Sequence, residues 1–227
     1  MIGGCACLSV AKVDSALAAS PAVKSASISV AGAMDALDRL RVGNSRFCSG
    51  RQIHAHENAK WRNLLVANQK PFATILGCSD SRVPPELVFD VGLGELFIIR
   101  LAGNIIAEDV LGSLQYAIHH LHTPLVVIMG HEGCGAVTAA VDAMLTTSRE
   151  PSHIEALLEM IKPGLKDVDL KQERKALLRS AVEANVRWSM KELLSLPEAQ
   201  VALKERRAAL IGALYELESG KVRFLDQ

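Results

Sequence analysis

Along this chain two patterns of apolar residues alternate: some stretches repeat every three to four positions, and others run unbroken for five or six. From Asp35 onward, Leu37, Leu40 and Phe47 fall at helical spacing and predict an amphipathic first helix. Trp61 to Asn68 predicts a second helix that ends before Gln69-Lys70-Pro71. Three short apolar runs follow, FATILG (72–77), ELFIIR (95–100) and PLVVIMG (124–130). Each is too short for a helix that packs alone and is bounded by Gly, Pro or charge, so each predicts a strand buried on both faces. Between the second and third runs, EDVLGSLQYAIHHLH puts Val110, Leu114, Ala117, Ile118 and Leu121 on one helical face, as a crossover helix requires.

The C-terminal half continues the alternation. GAVTAAVDAML (135–145) predicts a helix, and HIEALLEMI (153–161) predicts a shorter one stopped by Pro163-Gly164. A long helix is expected from about Leu170 to Leu194, with Leu177, Ala181, Val182, Val186 and Leu193 facing inward. The end of the chain reads as a strand, a turn at Ser219-Gly220 and a short return strand. Strands that alternate with helices predict an α/β fold: a mostly parallel central sheet of four to five strands flanked by helices. The N-terminal helices are placed to clasp a second subunit. No internal repeat interrupts the pattern.

At 227 residues the chain suits one domain better than two, and its 49% hydrophobic residues are enough for a sizeable core. Lys plus Arg and Asp plus Glu both total 25, so no bulk field favours nucleic acid or anionic lipid. No apolar run reaches the roughly 18 residues of a membrane span. Residues 1–33 differ from the rest: they are small, apolar and rich in Ser and Ala, and Ala16-Leu17-Ala18 is similar to an export-signal cleavage site. Nothing basic precedes Lys12, however, as such a signal requires. The segment is read as a truncated export signal, which predicts a periplasmic protein, or as a plain extension, which predicts a cytoplasmic one. Residues 34–227 form the domain.

Five cysteines at irregular spacing (Cys5, Cys7, Cys48, Cys78 and Cys134) do not form a disulfide framework. Two of them stand at strand ends. The first strand runs into Cys78-Ser79-Asp80-Ser81-Arg82, and the third runs into His131-Glu132-Gly133-Cys134. The carboxyl edge of an open α/β sheet is where such folds place ligands. Two thiolates, an imidazole and a carboxylate form a four-coordinate set suited to Zn²⁺. Either pair alone is weak, because a strand-end Cys is usually core packing. Arg82 separates a catalytic zinc from a structural one: its guanidinium can clamp Asp80 and hold it off the metal, leaving one position for water. A closed structural zinc gives Arg82 no task. A redox pair of Cys78 and Cys134 would instead form a reversible disulfide and need no metal.

CSDSRVPPE followed by GHEGCGAV resembles the β-class carbonic anhydrases, over roughly Asp35 to Leu225. The resemblance implies zinc held by Cys78, His131 and Cys134. Asp80 is then either the fourth ligand or, with Arg82, the dyad that orients a zinc-bound hydroxide. It also implies reversible hydration of carbon dioxide to bicarbonate in a homodimer or homotetramer. Gln69, Phe97 and Tyr116 match the family's narrow substrate pocket by spacing, with some of that pocket supplied by the neighbouring subunit. A branch with a non-catalytic bicarbonate site carries Trp where this chain has Ile75, so the resemblance favours the branch with an accessible zinc. Leu101 departs from the family's usual RNAGN run. A relative acting on carbonyl sulfide or carbon disulfide shares the same zinc site. His119, His120 and His122 read as a solvated helix end, outside the site.

Overall fold

The computed structural model describes residues 30–146 and 149–225, so the expected export signal lies outside the described residues. Five strands form one sheet: β1 (Ala73–Gly77), β2 (Leu96–Arg100), β3 (Leu125–His131), β4 (Ala209–Tyr215) and β5 (Val222–Phe224). Their order is β2-β1-β3-β4-β5. The first four are parallel and β5 is antiparallel to β4, as the expected terminal hairpin requires. Gly77 stands opposite Arg100 on one side and Met129 on the other, while His131 stands opposite Tyr215. The carboxyl ends of β1, β2 and β3 therefore share one edge.

Every residue of β1 and β3 is buried, because these strands are covered on both faces. Ile75, Val127, Met129 and Ala213 meet Leu40, Val88 and Phe89 on one side. Leu76, Val126, Ile128 and Leu210 meet Val137, Leu158, Ile161 and Val186 on the other. Burying each such side chain stabilises the fold by about 1.5–3 kcal/mol. The expectation of two-sided burial fails for ELFIIR. Leu96 to Ile99 are only partly buried and Arg100 is exposed, because β2 is the edge strand and pairs only with β1.

Helices cover both faces: α1 (Val30–Cys48), α2 (Ala59–Leu64), α3 (Pro85–Val88), α4 (Glu108–His119), α5 (Gly135–Leu145), α6 (Ser152–Ile161), α7 (Arg174–Leu194) and α8 (Pro197–Lys204). None is long and apolar enough among the described residues to cross a membrane. Helix α1 starts five residues before Asp35 and docks on its own chain. Asn44 Nδ2 donates to the carbonyls of Val88 and Gly220, and Asn44 Oδ1 accepts from Val222 N–H. Its outer face leaves Met34 and Val42 exposed.

Several ends differ from the periodicity. Helix α2 stops at Leu64, not Asn68, because Leu65 N–H folds back onto the carbonyls of Arg62 and Asn63. Helix α7 starts at Arg174, where the Glu173 carboxylate caps the N–H groups of Lys175 and Ala176 at 3.0 and 3.3 Å. Helix α6 does end at Ile161, as expected, and Pro163-Gly164 falls in the single 3₁₀ turn that follows it, Lys162–Leu165. Helix α8 gave little apolar signal, since Ala202 is its only buried residue among those described. The long α7 lies close against β3 and β4, and Gly130 makes this possible. A Cβ there would stand 2.6 Å from Val186 Cγ2.

Candidate metal centre

β1 ends at Gly77, and the chain turns sharply through Cys78 to Arg82. Val83 N–H closes that turn on the Asp80 carbonyl at 3.1 Å. Arg100, at the end of β2, grips it from outside: Nε donates to the Cys78 carbonyl at 2.9 Å and Nη2 to the Asp80 carbonyl at 2.6 Å. Next door, β3 ends at His131. Glu132 N–H bonds Tyr215 O at 2.8 Å, Gly133 takes a left-handed φ of 65°, and Cys134 becomes the N-cap of α5. The two loops meet at the sheet edge.

The Cys78 and Cys134 sulfurs are 4.0 Å apart, and the ligand atoms of Cys78, His131 and Cys134 all lie within 4.8 Å of one another. All three residues are buried. Sulfurs bound to one tetrahedral zinc at about 2.3 Å would stand about 3.8 Å apart. A disulfide needs about 2.05 Å, so the two sulfurs are not bonded to each other, and their spacing fits a shared cation. The imidazole is prepared for the same task. His131 Nδ1 lies 2.9 Å from Glu132 O, an acceptor that places the proton on Nδ1. Nε2 is fully buried and has no hydrogen-bond partner among the described residues. A buried lone pair without a partner is costly, and a metal ion satisfies it.

The thiols reinforce this reading. The Cys134 thiol beside the Cys78 sulfur draws Cys78 downward, against the opposing effect of burial, and the backbone N–H groups of Gly103 and Asp80 assist. The same partnership, with burial, pushes Cys134 upward. One proton leaves the pair readily and the second is held, so both sulfurs are anionic only beside a cation. The residues therefore fit zinc.

Asp80 stands at the rim. Its Oδ2 is 3.9 Å from His131 Nε2, too far for a hydrogen bond. Arg82 holds it with Nε to Oδ1 at 2.9 Å, Nη2 to Oδ2 at 2.7 Å and backbone N–H to Oδ1 at 2.9 Å. Arg82 Nη2 also reaches Gly133 O at 3.3 Å, tying the two loops together. These bonds outweigh burial and keep the Asp80 carboxyl well below the usual carboxylate range.

The carbonic anhydrase family model matches residues 73–222, which include both ligand loops. This chain belongs to the β-class carbonic anhydrases. Carbonic anhydrase 2 of Mycobacterium tuberculosis is 37% identical over 191 residues, covering 82% of this chain and 90% of that protein. The carbonic anhydrase of Mycolicibacterium smegmatis is 34% identical over 187 residues, covering 81% and 88%. Among solved structures, the β-carbonic anhydrase CcaA superposes with a TM-score of 0.69 at 27% identity, covering 85% of this chain and 88% of that one.

For a β-carbonic anhydrase, the three pocket residues expected from spacing sit apart from the metal loops. Phe97 is opposite Thr74, four residues before Cys78, or about 13 Å down the strand. Its ring stacks on Tyr116 with centroids 6.1 Å apart, and Tyr116 is 47% exposed. Gln69 is exposed in the segment between α2 and β1. A single chain therefore does not gather these three around its own cysteines. Ile75 is fully buried in the sheet and Leu101 packs against the core. His119, His120 and His122 are exposed at the end of α4, as expected. Sequence periodicity missed Arg100, Asn185 and Ser189. Arg100 closes a strand in the manner of any surface charge, and the other two are polar residues set within the inward stripe of α7.

Proposed function

We propose that this β-carbonic anhydrase catalyses reversible hydration of carbon dioxide to bicarbonate and a proton. In this reading Cys78, His131 and Cys134 hold one zinc per chain, and Asp80 with Arg82 directs the attacking oxygen. The observation that carries the reading is the buried Nε2 of His131, which has no hydrogen-bond partner among the described residues and faces two cysteine sulfurs beside a carboxylate already committed to Arg82. A zinc held there supplies Lewis acidity, which lets water lose a proton near neutral pH.

The protein's own residues do the rest. Both Asp80 oxygens are engaged by Arg82, which supports a carboxylate held off the metal and a ligand position open to solvent. Asp80 accepts a hydrogen bond from the attacking group and so fixes the direction of its lone pair. Arg82 keeps Asp80 ionised and in place. Carbon dioxide is small, apolar and uncharged, so it calls for an apolar pocket and not a charged clamp. Gln69, Phe97 and Tyr116 are proposed to provide that pocket from a second copy in a homodimer or homotetramer. Gln69 and Tyr116 are exposed and Phe97 lies partly buried on the open edge strand β2, which, with Met34 and Val42 exposed on α1, supports this assembly.

Metal analysis of the purified protein, alongside stopped-flow hydration of carbon dioxide, tests the proposal. One zinc per chain and turnover that disappears with the metal are expected. Metal-free protein that remains fully active would overturn it, and faster turnover of carbonyl sulfide than of carbon dioxide would reassign the substrate.

A further inference from the structure

The inward face of α7 carries Leu177, Ala181, Val182, Val186 and Leu193, yet two polar residues interrupt it, Asn185 and Ser189, each 1% exposed. They are four residues apart and so lie on one face of the helix. Both reach the same short turn. Asn185 Nδ2 donates to Gly103 O at 2.8 Å, and Ser189 Oγ donates to Asn104 O at 3.1 Å. That turn, the 3₁₀ segment Ala102–Asn104 after β2, is closed by Asn104 N–H on Leu101 O at 2.9 Å. It is fastened to β1 by Leu101 N–H on Gly77 O at 3.1 Å. Its central N–H, on Gly103, points to the Cys78 sulfur at 3.4 Å.

We propose that Asn185 and Ser189 are positioning residues for the metal centre: they hold the turn so that Gly103 N–H bonds the Cys78 sulfur and tempers its donation to the metal. The inference rests on the zinc reading above. Gly103 occupies this place because its φ is +69° and because a Cβ would lie 2.8 Å from Ile161 Cδ1 and 3.2 Å from Ala136 Cβ. A residue with a side chain is thus disfavoured here, and α7 holds the glycine turn from behind. Asn185 is not retained for full satisfaction of its amide. Its Oδ1 has no partner among the described residues, so the bond to Gly103 is what its amide contributes. A leucine at this position would fill the stripe without that cost.

The chemical consequence concerns the balance of charge at the site. Two anionic sulfurs donate more charge than imidazoles and weaken the Lewis acidity of a bound zinc. A hydrogen bond to one sulfur withdraws part of that charge, as hydrogen bonds from the surrounding shell do at metal–thiolate sites generally. Cys134 sits at the N-cap of α5 beside that helix's own N–H groups. Cys78 has no helix behind it and takes this support from the nearby Asp80 N–H and, across 25 residues of sequence, from Gly103.

The test uses the intact protein with cobalt(II) exchanged for zinc, comparing the parent with Asn185→Ala, Ser189→Ala and the double variant. Loss of the N–H bond leaves the Cys78 sulfur more electron-rich. The sulfur-to-cobalt charge-transfer band should then move to longer wavelength, most in the double variant. Zinc affinity, measured by competition with a chelator, should fall about tenfold. A purely structural role for these side chains would lower the melting temperature and leave the band in place. If Asn185→Ala does not fold, Ser189→Ala carries the comparison, with a smaller shift in the same direction. Folded variants whose band and zinc affinity match the parent overturn the inference alone. A parent with no such band overturns the two-thiolate centre and this inference with it.

Discussion

Asp80 and Arg82 form a two-pronged ion pair: Nε reaches one carboxylate oxygen at 2.9 Å and Nη2 the other at 2.7 Å. The pair is local in sequence, but its orientation is not. Arg82 also touches Gly133 O at 3.3 Å, so the fork spans the two loops that carry the metal ligands. Because Arg82 holds Asp80 below the usual carboxylate range, Asp80 stays an ionised hydrogen-bond acceptor at neutral pH.

Replacing Asp80 by Asn keeps the shape of the side chain and removes its charge and half its accepting capacity. Hydration of carbon dioxide should fall by roughly 10²-fold or more, the scale of a lost group that directs proton position. Zinc content should stay at the parental level. Stopped-flow rates paired with metal analysis check both, and an unchanged rate would remove Asp80 from the mechanism.

Arg82→Lys retains the charge but not the planar fork. A lysine can bond one carboxylate oxygen and cannot also hold Gly133 O in the same geometry. Activity should drop about tenfold, the scale of a lost outer-shell partner. The urea midpoint should barely move, since the Arg82 side chain is 55% exposed. Parallel kinetics and urea titration separate the two effects.

Removing zinc with a chelator, or replacing Cys134 by Ala, should abolish turnover and lower the melting temperature. Without the cation, His131 Nε2 is a buried acceptor with no partner among the described residues, and two close sulfurs must share a proton. Re-adding zinc should restore the parent and not Cys134→Ala. Differential scanning calorimetry with and without metal measures the shift.

A separate pair governs acid stability. The Asp90 side chain is 1% exposed and is held by Arg46 Nε and by the N–H groups of Ile53 and His54. Burial pushes its carboxyl up, but Arg46 and those N–H groups together bring it below its ordinary value. A carboxylate depressed on folding contributes stability fully above the unfolded value of about 3.9 and loses it as pH falls through the folded value. Asp90→Ala should therefore cost about 2–3 kcal/mol between pH 5 and 8. The gap to the parent should begin to narrow below about pH 4 and go on narrowing as pH falls through the folded value. Urea unfolding across that range tests it.

Gly43→Ala probes the seat of α1. A Cβ at Gly43 would fall 1.7 Å from Phe89 O, and backbone atoms have nowhere to withdraw. The substitution should cost about 3 kcal/mol, and a melting temperature equal to the parent's would mean that α1 does not seat there.

Much of this was legible from spacing alone. The unbroken runs at 72–77 and 124–130 became central strands because only a strand covered on both faces suits an apolar run that short. ELFIIR carried the same signal but became an edge, since periodicity reports burial tendency and not the number of neighbours. Asn185 and Ser189 were invisible for a related reason. A polar residue within an apolar stripe looks like a flaw until the group it bonds, 82 or 85 residues away, is in place.

The sequence by itself determined the donor types and their place at strand ends, because strand length and the chemistry of Cys, His and Asp are local properties. It also determined the Asp80–Arg82 fork, which spans two residues. Tertiary structure decided what depends on chain crossing. Parallel pairing of β1 with β3 brought Cys78 to 4.0 Å from Cys134. The same pairing left Phe97 and Tyr116 on the outer edge, remote from the sulfurs of their own chain. Which strand lies beside which is set by the packing of both sheet faces together, and no short window of sequence contains that information.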